Sequence, residues 1–497
     1  MNGSEDDFDV VVVGGGPAGS TTAALVAGQG HRVLLLEKEV FPRYQIGESL
    51  LPSTVHGVCE LLGVAGELRE AGFTLKHGGT FRWGADPEPW TFDFAVSRRL
   101  AGPTSYAYQV ERSKFDHILL RNARRLGADV REGCAVRRVL EDGERVGGVE
   151  YVDPDGVERQ ARARLVIDAS GNGSRVHGRV GGERQYSDFF RSLAVFGYFE
   201  NGKRLPPPRS GNVLSAAFAD GWIWYIPLSP TLTSVGVVVH HESTHKVQGD
   251  PEAALLGLID QCPMVRDLLS DAQRVTTGPY GRIRTRRDYS YAKGRFWAPG
   301  MALVGDAACF VDPVFSSGVH LATYSGLLAA RSANSVLSGE LDEESAFREF
   351  ERRYLNEYAV FYEFLVAFYG AHVDKDSYFW QAKKITNCDF SEFEAFVELV
   401  GGVSSGEHAL SGPGEVVERF TASTDALAAA TAAEHRVGDA DSGSVHRIPI
   451  VERVRREGSR IQMRAMLGEQ GGREAPVFAD GLRPSADGLR WERPEQV

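Results

Sequence analysis

The chain has 497 residues, 42% of them hydrophobic and 25% charged, which is the composition of a soluble globular protein with one large multi-part domain or two to three modules. Its formal net charge of −12 disfavours a nucleic acid or an anionic membrane as partner, and no apolar run approaches the ~18 residues of a membrane span. Five scattered cysteines without metal-ligand spacing favour a reduced, cytoplasmic setting, and the acidic start of the chain is unlike a signal peptide, so neither a metal site nor export is expected.

The first predicted unit is a strand at residues 10–13, a glycine-rich turn, a small-residue helix and a second strand at residues 33–36. The turn has the spacing GxGxxG, in which one glycine permits the tight turn, one admits a pyrophosphate and one lets helix and strand pack closely. A glutamate closes the second strand, where a carboxylate accepts hydrogen bonds from the adenosine ribose. An ordinary glycine-rich turn is the alternative, but this context favours a dinucleotide site. The predicted binding residues are Gly14, Gly16, Pro17, Ala18, Gly19 and Glu37.

Four polar side chains after this unit have more than one interpretation. Arg43 and Ser49 belong to the loop of residues 41–50, and they are either cofactor contacts or members of a surface loop. Arg112 is either a contact to a cofactor phosphate or ring, or one half of a helix salt bridge. Lys76 by itself would be a solvated surface charge, and an ammonium of ordinary pKa, ~10.4, is protonated at neutral pH.

Residues 192–241 alternate in polarity and are predicted to form antiparallel strands lying over the nucleotide domain. Within them Trp222 and Trp224 are one residue apart, so on a strand both indoles point to the same side. Pro227 ends or edges that strand, because proline cannot donate to a β-ladder. The pair is therefore predicted to form a rigid apolar wall.

A buried strand at residues 301–304, like one at residues 165–167, is predicted to extend the parallel sheet. In flavoproteins with two dinucleotide motifs an aspartate after such a strand contacts the ribityl–pyrophosphate part of FAD, so Asp306 favours FAD over NAD, with an ordinary turn aspartate as the alternative. Ser317 and Gly318 then begin a helix whose free N–H groups suit an anion or the flavin pyrimidine edge, while N-capping by serine alone is the simpler interpretation. Only one GxGxxG is present, so reduced flavin would come from a separate reductase.

Together these elements predict an α/β fold: a doubly wound, Rossmann-like FAD-binding domain, an overlying antiparallel β-sheet and a helical C-terminal region. The last part of the chain, rich in Gly, Ser, Ala and charge, is predicted to be variable and loosely attached. The expected boundaries are 1–185 and 286–340 for the FAD-binding domain, 186–285 for the antiparallel sheet on the substrate side, 341–400 for a helical segment closing the substrate site, and 401–497 for the C-terminal region with a mobile stretch at 438–444.

In combination, these motifs resemble the flavin-dependent halogenases. The resemblance is carried by the GxGxxG turn, residues 46–49 (Ile-Gly-Glu-Ser), Lys76, the WxWxIP pattern of residues 222–227, and residues 310–318. WxWxIP is specific to that group among flavin enzymes of this fold, and the similarity runs from about Phe8 to Gly406, including residues 377–384. It is closest to the halogenases of glycopeptide antibiotic biosynthesis, which chlorinate tyrosine and β-hydroxytyrosine rings held on a peptidyl carrier protein.

The resemblance implies an FADH2-dependent enzyme that uses O2 and chloride to chlorinate a phenolic ring tethered to a carrier protein in nonribosomal antibiotic biosynthesis. It implies that a flavin hydroperoxide yields hypochlorous acid, that Lys76 receives this acid and directs it to the ring, and that the amides of Ser317 and Gly318 hold chloride. Trp222 and Trp224 would separate the substrate from the flavin and so block monooxygenation.

One position departs from the related tryptophan halogenases, because this chain has Phe315 where they have a glutamate before Ser-Thr-Gly. Free tryptophan is therefore a poor substrate prediction, whereas a phenol activates its own ortho carbon. Two other functions stay open: an aromatic monooxygenase of the same fold, and a non-catalytic flavin-binding redox or scaffold protein. The WxWxIP motif argues against the monooxygenase. An activity assay would distinguish the non-catalytic flavin-binding protein from a halogenase.

Overall fold

The structure of the protein, a computed structural model, describes residues 7–83, 88–287, 290–370, 391–405, 407–410, 478 and 481–494. The α-helices are α1 (Pro17–Ala27), α2 (Cys59–Leu61), α3 (Ala65–Glu70), α4 (Arg112–Arg125), α5 (Pro251–Ile259), α6 (Pro263–Leu268), α7 (Ser317–Leu337), α8 (Glu343–Gly370) and α9 (Glu392–Val400). A π-helix spans Ser53–Val58, and 3-10 turns span Phe94–Val96, His177–Val180, His241–Val247, Gly278–Tyr280, Gly305–Ala307 and His408–Leu410.

The first large sheet confirms the predicted doubly wound arrangement. Its strands are β1 (Asp7–Val13), β2 (Val33–Glu37), β7 (Asp129–Glu132), β8 (Ala135–Asp142), β9 (Arg145–Val152), β10 (Glu158–Asp168), β19 (Trp297–Ala298) and β20 (Met301–Leu303). They follow the order β19-β20-β10-β1-β2-β7, with β9 beside β10 and β8 beside β9. β1 pairs in parallel with β10 and β2, and the outer pairs β10–β20 and β2–β7 are parallel too. The central strands are apolar and buried because helices cover such a sheet on both faces.

The second large sheet contains the antiparallel strands expected from residues 192–241. Its strands are β4 (Gly78–Arg82), β5 (Trp90–Asp93), β12 (Ser192–Glu200), β13 (Val213–Phe218), β14 (Gly221–Pro227), β15 (Leu232–His240), β16 (Gln273–Arg274) and β17 (Arg284–Arg287). Their order is β16-β12-β15-β14-β13-β4-β5, with β17 also paired to β12. β4 and β5 belong by sequence to the range expected for the nucleotide domain, yet β4 pairs in parallel with β13. This pairing brings the chain just after Lys76 against the strands next to the tryptophan pair.

Three small sheets complete the described strands. Their members are β3 (Thr74–Lys76) with β6 (Ala107–Gln109); β11 (Arg184–Tyr186), β18 (Tyr291–Lys293) and β21 (Cys309–Phe310); and β22 (Arg483–Pro484) with β23 (Trp491–Glu492). No described helix is long and apolar enough to cross a membrane.

The second sheet separates two apolar cores. Trp222, Trp224 and Ile226 of β14 pack into the large core shared with the first sheet and its helices. Ile223 and Tyr225 of the same strand face the smaller core under α5 and α6. Side chains alternate along a strand, so this division confirms that both indoles point to one side, toward the nucleotide domain.

The C-terminal residues 481–494 are not loosely attached, which corrects the prediction for that stretch. Trp491 is only 1% exposed, and its backbone N–H and indole N–H donate to Ser335 Oγ at 2.8 Å and Ser332 Oγ at 2.9 Å on α7. One buried indole anchors a segment whose polar composition suggested disorder. The predicted mobile stretch at 438–444 and the motif at 377–384 lie outside the described residues.

Candidate active site

The glycine-rich turn between β1 and α1 has the close backbone approach that its sequence predicts. Gly14 has φ +102°, and a Cβ there would lie 2.6 Å from the carbonyl oxygen of Ala169. A Cβ on Gly19 would lie 1.9 Å from the carbonyl oxygen of Gly14, so only glycine permits this helix–strand contact. Gly16 precedes α1 without a side-chain cap among the described residues, so the first N–H groups of α1 are available to a phosphate.

A cavity of about 190 Å³ opens at the carboxyl ends of β1 and β2, lined in part by Gly14, Glu37 and Ser170. Glu37 lies where its sequence spacing predicts, but its carboxylate also holds the turn: Oε2 accepts from Gly15 N–H at 2.6 Å and Oε1 from Glu39 N–H at 2.9 Å. Each carboxylate oxygen has a second lone pair for another donor. A contact to the adenosine ribose therefore stays a prediction that this geometry permits.

Arg43 and Arg112 meet at one buried carboxylate. Arg43 Nη1 donates to Asp116 Oδ2 at 2.9 Å, and Arg112 Nε donates to Asp116 Oδ1 at 2.7 Å. Arg112 Nη1 also donates to the carbonyl of Ile46 at 2.7 Å. Arg112 thus forms the helix salt bridge that was the alternative to a cofactor contact, and it positions the loop before Ser49. Arg43 reaches the phosphate end of the turn, since its Nη2 lies 3.5 Å from where a Cβ on Gly16 would be.

The second flavin-type motif lies against the first. The turn Gly305–Ala307 follows β20, and a Cβ on Gly305, where φ is +57°, would lie 3.3 Å from Ala18 Cβ in α1. Burial raises the pKa of the adjacent Asp306 carboxyl, and the charges of Arg286 and Arg112 oppose that shift. The turn that carries Asp306 therefore lies close to the start of α1, and the contact of Asp306 to the ribityl–pyrophosphate part of FAD stays a prediction.

The start of α7 differs from the expected serine cap. Ser316 occupies the N-cap position with φ +61°, and its side chain makes no capping hydrogen bond. Ser317 is buried, and its hydroxyl has no hydrogen-bond partner among the described residues. Capping by the Ser316 side chain is therefore wrong here: the residue has a left-handed backbone in place of the extended one typical of a capping serine. Because Ser316 makes no capping hydrogen bond, a chloride ion remains compatible with the start of α7, and the chloride role of the Ser317 and Gly318 amides stays a prediction.

The two tryptophans are buried, and their neighbours fix the positions of both rings. Trp222 and Trp224 are 2% and 7% exposed, and their ring centroids lie 6.1 Å apart at an interplanar angle of 55°. The indole of Trp224 donates to Ser234 Oγ at 3.3 Å. Across the ladder, a Cβ on Gly236 would lie 2.1 Å from the Trp224 ring, so a glycine is required to leave room for that indole. These contacts hold the two rings in one arrangement, which a partition requires.

Lys76 is buried, with a side chain 2% exposed at the end of β3. Its Nζ donates to Ser49 Oγ and to the carbonyl of Leu50, each at 2.9 Å, and lies 5.7 Å from the ring centroid of Phe94. Burial lowers the pKa of Lys76 to about 7 from its ordinary value of 10.5, because it removes water from around the charged ammonium. This corrects the expectation of a fully protonated ammonium at neutral pH: the neutral amine is substantially populated there. It also gives Ser49 a role as partner of Lys76, where the sequence suggested only a cofactor contact.

The lowered pKa of Lys76 predicts a pH-dependent difference in stability between the wild type and Lys76→Met. An unfolded chain holds the lysine proton up to about pH 10.5, whereas the folded chain releases it near pH 7, so folding is disfavoured at low pH. Lys76→Met should therefore be the more stable protein below pH 7. Its advantage should fall by about 1.4 kcal/mol per pH unit between pH 7 and 10.5, as measured by urea unfolding. A pH-independent difference would contradict the lowered pKa.

Two buried carboxyl groups beside the motifs were not among the predicted site residues. Glu48 precedes Ser49, is 1% exposed, and accepts from Tyr198 Oη at 2.7 Å. Asp312, shortly before α7, accepts from Tyr369 Oη at 3.1 Å. Burial raises the pKa of each carboxyl to about 7. The signal for Glu48 was its place in the Gly-Glu-Ser turn, whereas for Asp312 the sequence offered only its proximity to the helix start that was predicted to bind an anion.

The glycine turn and the adjoining cavity have the form of a dinucleotide site, whereas the roles of Arg43 and Asp306 as flavin contacts stay predictions. The family model described as tryptophan halogenase matches residues 9–102 and 96–427. The chain therefore belongs to the tryptophan halogenase family of flavin-dependent halogenases.

Named relatives and solved structures agree with this membership. The chain is 36% identical over 407 residues to the tryptophan 2-halogenase of Chondromyces crocatus, covering 79% of this chain and 75% of that one. It is 30% identical over 400 residues to a chlorinase of 1H-pyrrole-2-carbonyl on a peptidyl-carrier protein from Pseudomonas fluorescens, covering 74% and 85%. The structure of the myxobacterial chondrochloren halogenase CndH, a variant of FAD-dependent halogenases, matches with a TM-score of 0.76 and 50% identity over 98% of this chain and 100% of that one.

The protein is a flavin-dependent halogenase that uses FAD, as FADH2, and chloride. Membership of this family sets aside both the monooxygenase and the non-catalytic scaffold. The relatives named above do not include a tyrosine halogenase of glycopeptide biosynthesis, so the closer resemblance inferred from sequence finds no support among them. The substrate is therefore a matter for proposal.

Proposed function

We propose that this halogenase chlorinates a phenolic, tyrosine-type ring carried by a peptidyl carrier protein in the biosynthesis of an antibiotic or similar secondary metabolite. The observation that carries the choice of ring is Phe315, which is buried and packs within 5.1 Å of Phe364 and 4.8 Å of Phe368, measured between ring centroids. An aromatic cluster occupies the place where tryptophan halogenases have a glutamate. A phenol suits such a site because its hydroxyl group activates the ring without a carboxylate there.

Bound reduced flavin would supply hypochlorous acid from O2 and chloride. Lys76 is the group of this chain that would receive it, since its amine is enclosed, is held by Ser49 and Leu50, and is partly neutral near pH 7. A neutral amine has a lone pair to accept chlorine, and an ammonium can donate a hydrogen bond to the acid. Trp222 and Trp224 would exclude the organic substrate from the flavin side, so chlorine rather than oxygen is transferred to the ring.

Two further features support the proposed partners. The pyrrole chlorinase to which the chain is similar acts, by its name, on a carrier-bound ring, and a tethered substrate is consistent with that likeness. A single GxGxxG turn in the sequence supports a separate flavin reductase, because no second nucleotide motif for NAD(P)H is visible.

The experiment is a substrate panel in which tyrosine, tryptophan and pyrrole-2-carboxylate are each offered free and loaded on a carrier protein. FADH2 comes from a separate reductase, chloride is present, and products are measured by LC–MS. We expect exchange of hydrogen for chlorine on the carrier-loaded tyrosine. Chlorination of free tryptophan, the second candidate because of the 36% identical relative, with carrier-loaded tyrosine unchanged would overturn the proposal. A reaction without chloride serves as the control.

A further inference from the structure

A continuous line of hydrogen-bonded side chains leads from the protein surface to the loop that holds Lys76. Tyr198 Oη donates to Glu48 Oε1 at 2.7 Å, and Tyr44 Oη lies 2.8 Å from Tyr198 Oη. A tyrosine hydroxyl has one hydrogen, and that of Tyr198 is directed to Glu48, so Tyr44 is the donor in the second bond. The line therefore has one direction, from Tyr44 through Tyr198 to Glu48.

The two ends of this line differ in exposure. Tyr44 is partly exposed, with the Arg284 guanidinium 3.6 Å from its ring centroid, whereas Glu48 is buried. Glu48 Oε2 is buried as well and makes no hydrogen bond to a described residue. The carboxyl can therefore hold its single proton on Oε2 and, once that proton has left, take a new one at Oε1 from the line of tyrosines.

Glu48 adjoins both parts of the proposed catalytic machinery. The next residue, Ser49, accepts the hydrogen bond of Lys76 Nζ. Because Glu48 and Ser49 are neighbours in the chain, their Cα atoms are about 3.8 Å apart. On the other side lies Ser234, whose hydroxyl accepts from the Trp224 indole and favours the ionised form of Glu48. The inner end of the line thus lies between Lys76 and the tryptophan pair.

The groups around Glu48 bring the pKa of its carboxyl close to neutral pH. Burial raises its pKa to about 7, Tyr198, Ser234 and Arg112 favour the ionised form, and Glu111 opposes it. Burial also raises the pKa of Tyr44 and Tyr198, so both stay neutral hydroxyls at working pH. A carboxyl with a pKa near neutrality gives up and regains a proton readily, and neutral hydroxyls can pass one on.

The overall halogenation consumes a proton, and Lys76 and Glu48 of the proposed site are both buried. Written in full, ArH + Cl⁻ + H⁺ + O2 + FADH2 gives ArCl + FAD + 2 H2O, in which the flavin is oxidised, O2 is reduced to water, and one proton is taken up. This stoichiometry rests on the halogenase activity and holds for any aromatic substrate. A proton must therefore reach the buried site once in each turnover.

We propose that Tyr44, Tyr198 and Glu48 form a proton relay that delivers this proton from solvent to the active site. The O–H bond at Glu48 Oε2 breaks as its proton passes to an oxygen that leaves as water. The hydroxyl proton of Tyr198 then moves to Glu48 Oε1, that of Tyr44 moves to Tyr198, and a proton from the bulk solvent (the H⁺ of the equation above) reprotonates Tyr44. Each relay group accepts one proton and releases one, and rotation of the Glu48 carboxyl and of the two hydroxyls then returns the proton to Oε2 before the next turnover.

The first test reads Glu48 directly and needs no substrate. Infrared difference spectra of the oxidised FAD-bound enzyme, recorded across a pH titration, should show the C=O band of a buried carboxylic acid that disappears as pH rises through about 7. The Glu48 contribution to this band should be lost in Glu48→Gln, where Asp312 still contributes, and the full band should be retained in Tyr280→Phe. Tyr280 packs 4.4 Å from Tyr198 between ring centroids but donates to Glu111, so it lies beside the relay and not in it. Absence of a Glu48-dependent band in the wild type would overturn the relay.

The second test measures turnover at pH 8 on a substrate that the panel identifies. Tyr198→Phe and Tyr44→Phe should each lower kcat by about 100-fold and increase the solvent isotope effect, with KM unchanged, because each interrupts proton supply. Tyr280→Phe should match the wild type. Unchanged kcat and isotope effect in both relay variants would overturn the proposal. Failure of the panel to show a chlorinated phenol would count against the substrate alone, since the infrared titration is independent of it.

Discussion

Lys76→Met should lower the rate of chlorination by about a thousandfold while FAD still binds. Methionine fills a volume close to that of lysine, so the packing under Phe94 is kept, but it has no amine to receive or position hypochlorous acid beside Ser49. The rate is measured as chlorinated product by LC–MS with a reductase supplying FADH2. FAD affinity is measured in parallel by flavin fluorescence.

Lys293 offers a matched control for this substitution. Its side chain is also inaccessible to solvent, its pKa is also lowered by burial, and its Nζ donates to the carbonyl of Gly182, away from the Ser49–Leu50 loop. Lys293→Met should therefore retain chlorination if it folds, because it removes a buried amine but leaves Lys76, the proposed acceptor of hypochlorous acid, in place. Retained chlorination in Lys76→Met would remove the catalytic role of Lys76.

Gly19→Ala should weaken FAD binding by about 100-fold. Its Cβ would lie 1.9 Å from the carbonyl oxygen of Gly14, a backbone atom that cannot rotate away, so the turn and α1 must separate. Overpacking of this kind costs up to about 3 kcal/mol, and each 1.4 kcal/mol is a factor of ten in affinity. Equilibrium dialysis or fluorescence titration with FAD gives the dissociation constant directly.

Gly257 in α5 provides the comparison, because a Cβ there meets no atom within 4 Å. Gly257→Ala should bind FAD as the wild type does and be slightly more stable, since alanine is the better helix former. Equal FAD affinity in Gly19→Ala and Gly257→Ala would show that the GxGxxG turn does not form the dinucleotide site.

The nucleotide half of the fold could be predicted because its signals are local. Residues 10–13 and 33–36 are continuous β-branched or leucine runs, and the glycines between them leave few conformations for the turn. The direction of Trp222 and Trp224 was likewise predictable, since side-chain alternation on a strand depends on neighbouring residues only. In each case the information lies within a few residues of the feature it determines.

The electrostatic state of the site could not be predicted, because it depends on residues distant in sequence. The pKa of Lys76 is lowered by the burial that the whole fold creates, which spacing does not reveal. Glu48 and its donor Tyr198 are 150 residues apart, and Arg112 and its acceptor Ile46 are 66 apart. Trp491 was missed for the same reason, since its anchor on α7 is more than 150 residues earlier in the chain.

The most direct test of the account is a crystal structure of the protein with FAD and chloride bound. We predict that Trp222 and Trp224 will stand between the isoalloxazine ring and the Lys76 amine, with only a narrow passage joining the two sides. An isoalloxazine ring and a Lys76 amine sharing one open chamber would contradict it, since the organic substrate could then reach the flavin directly.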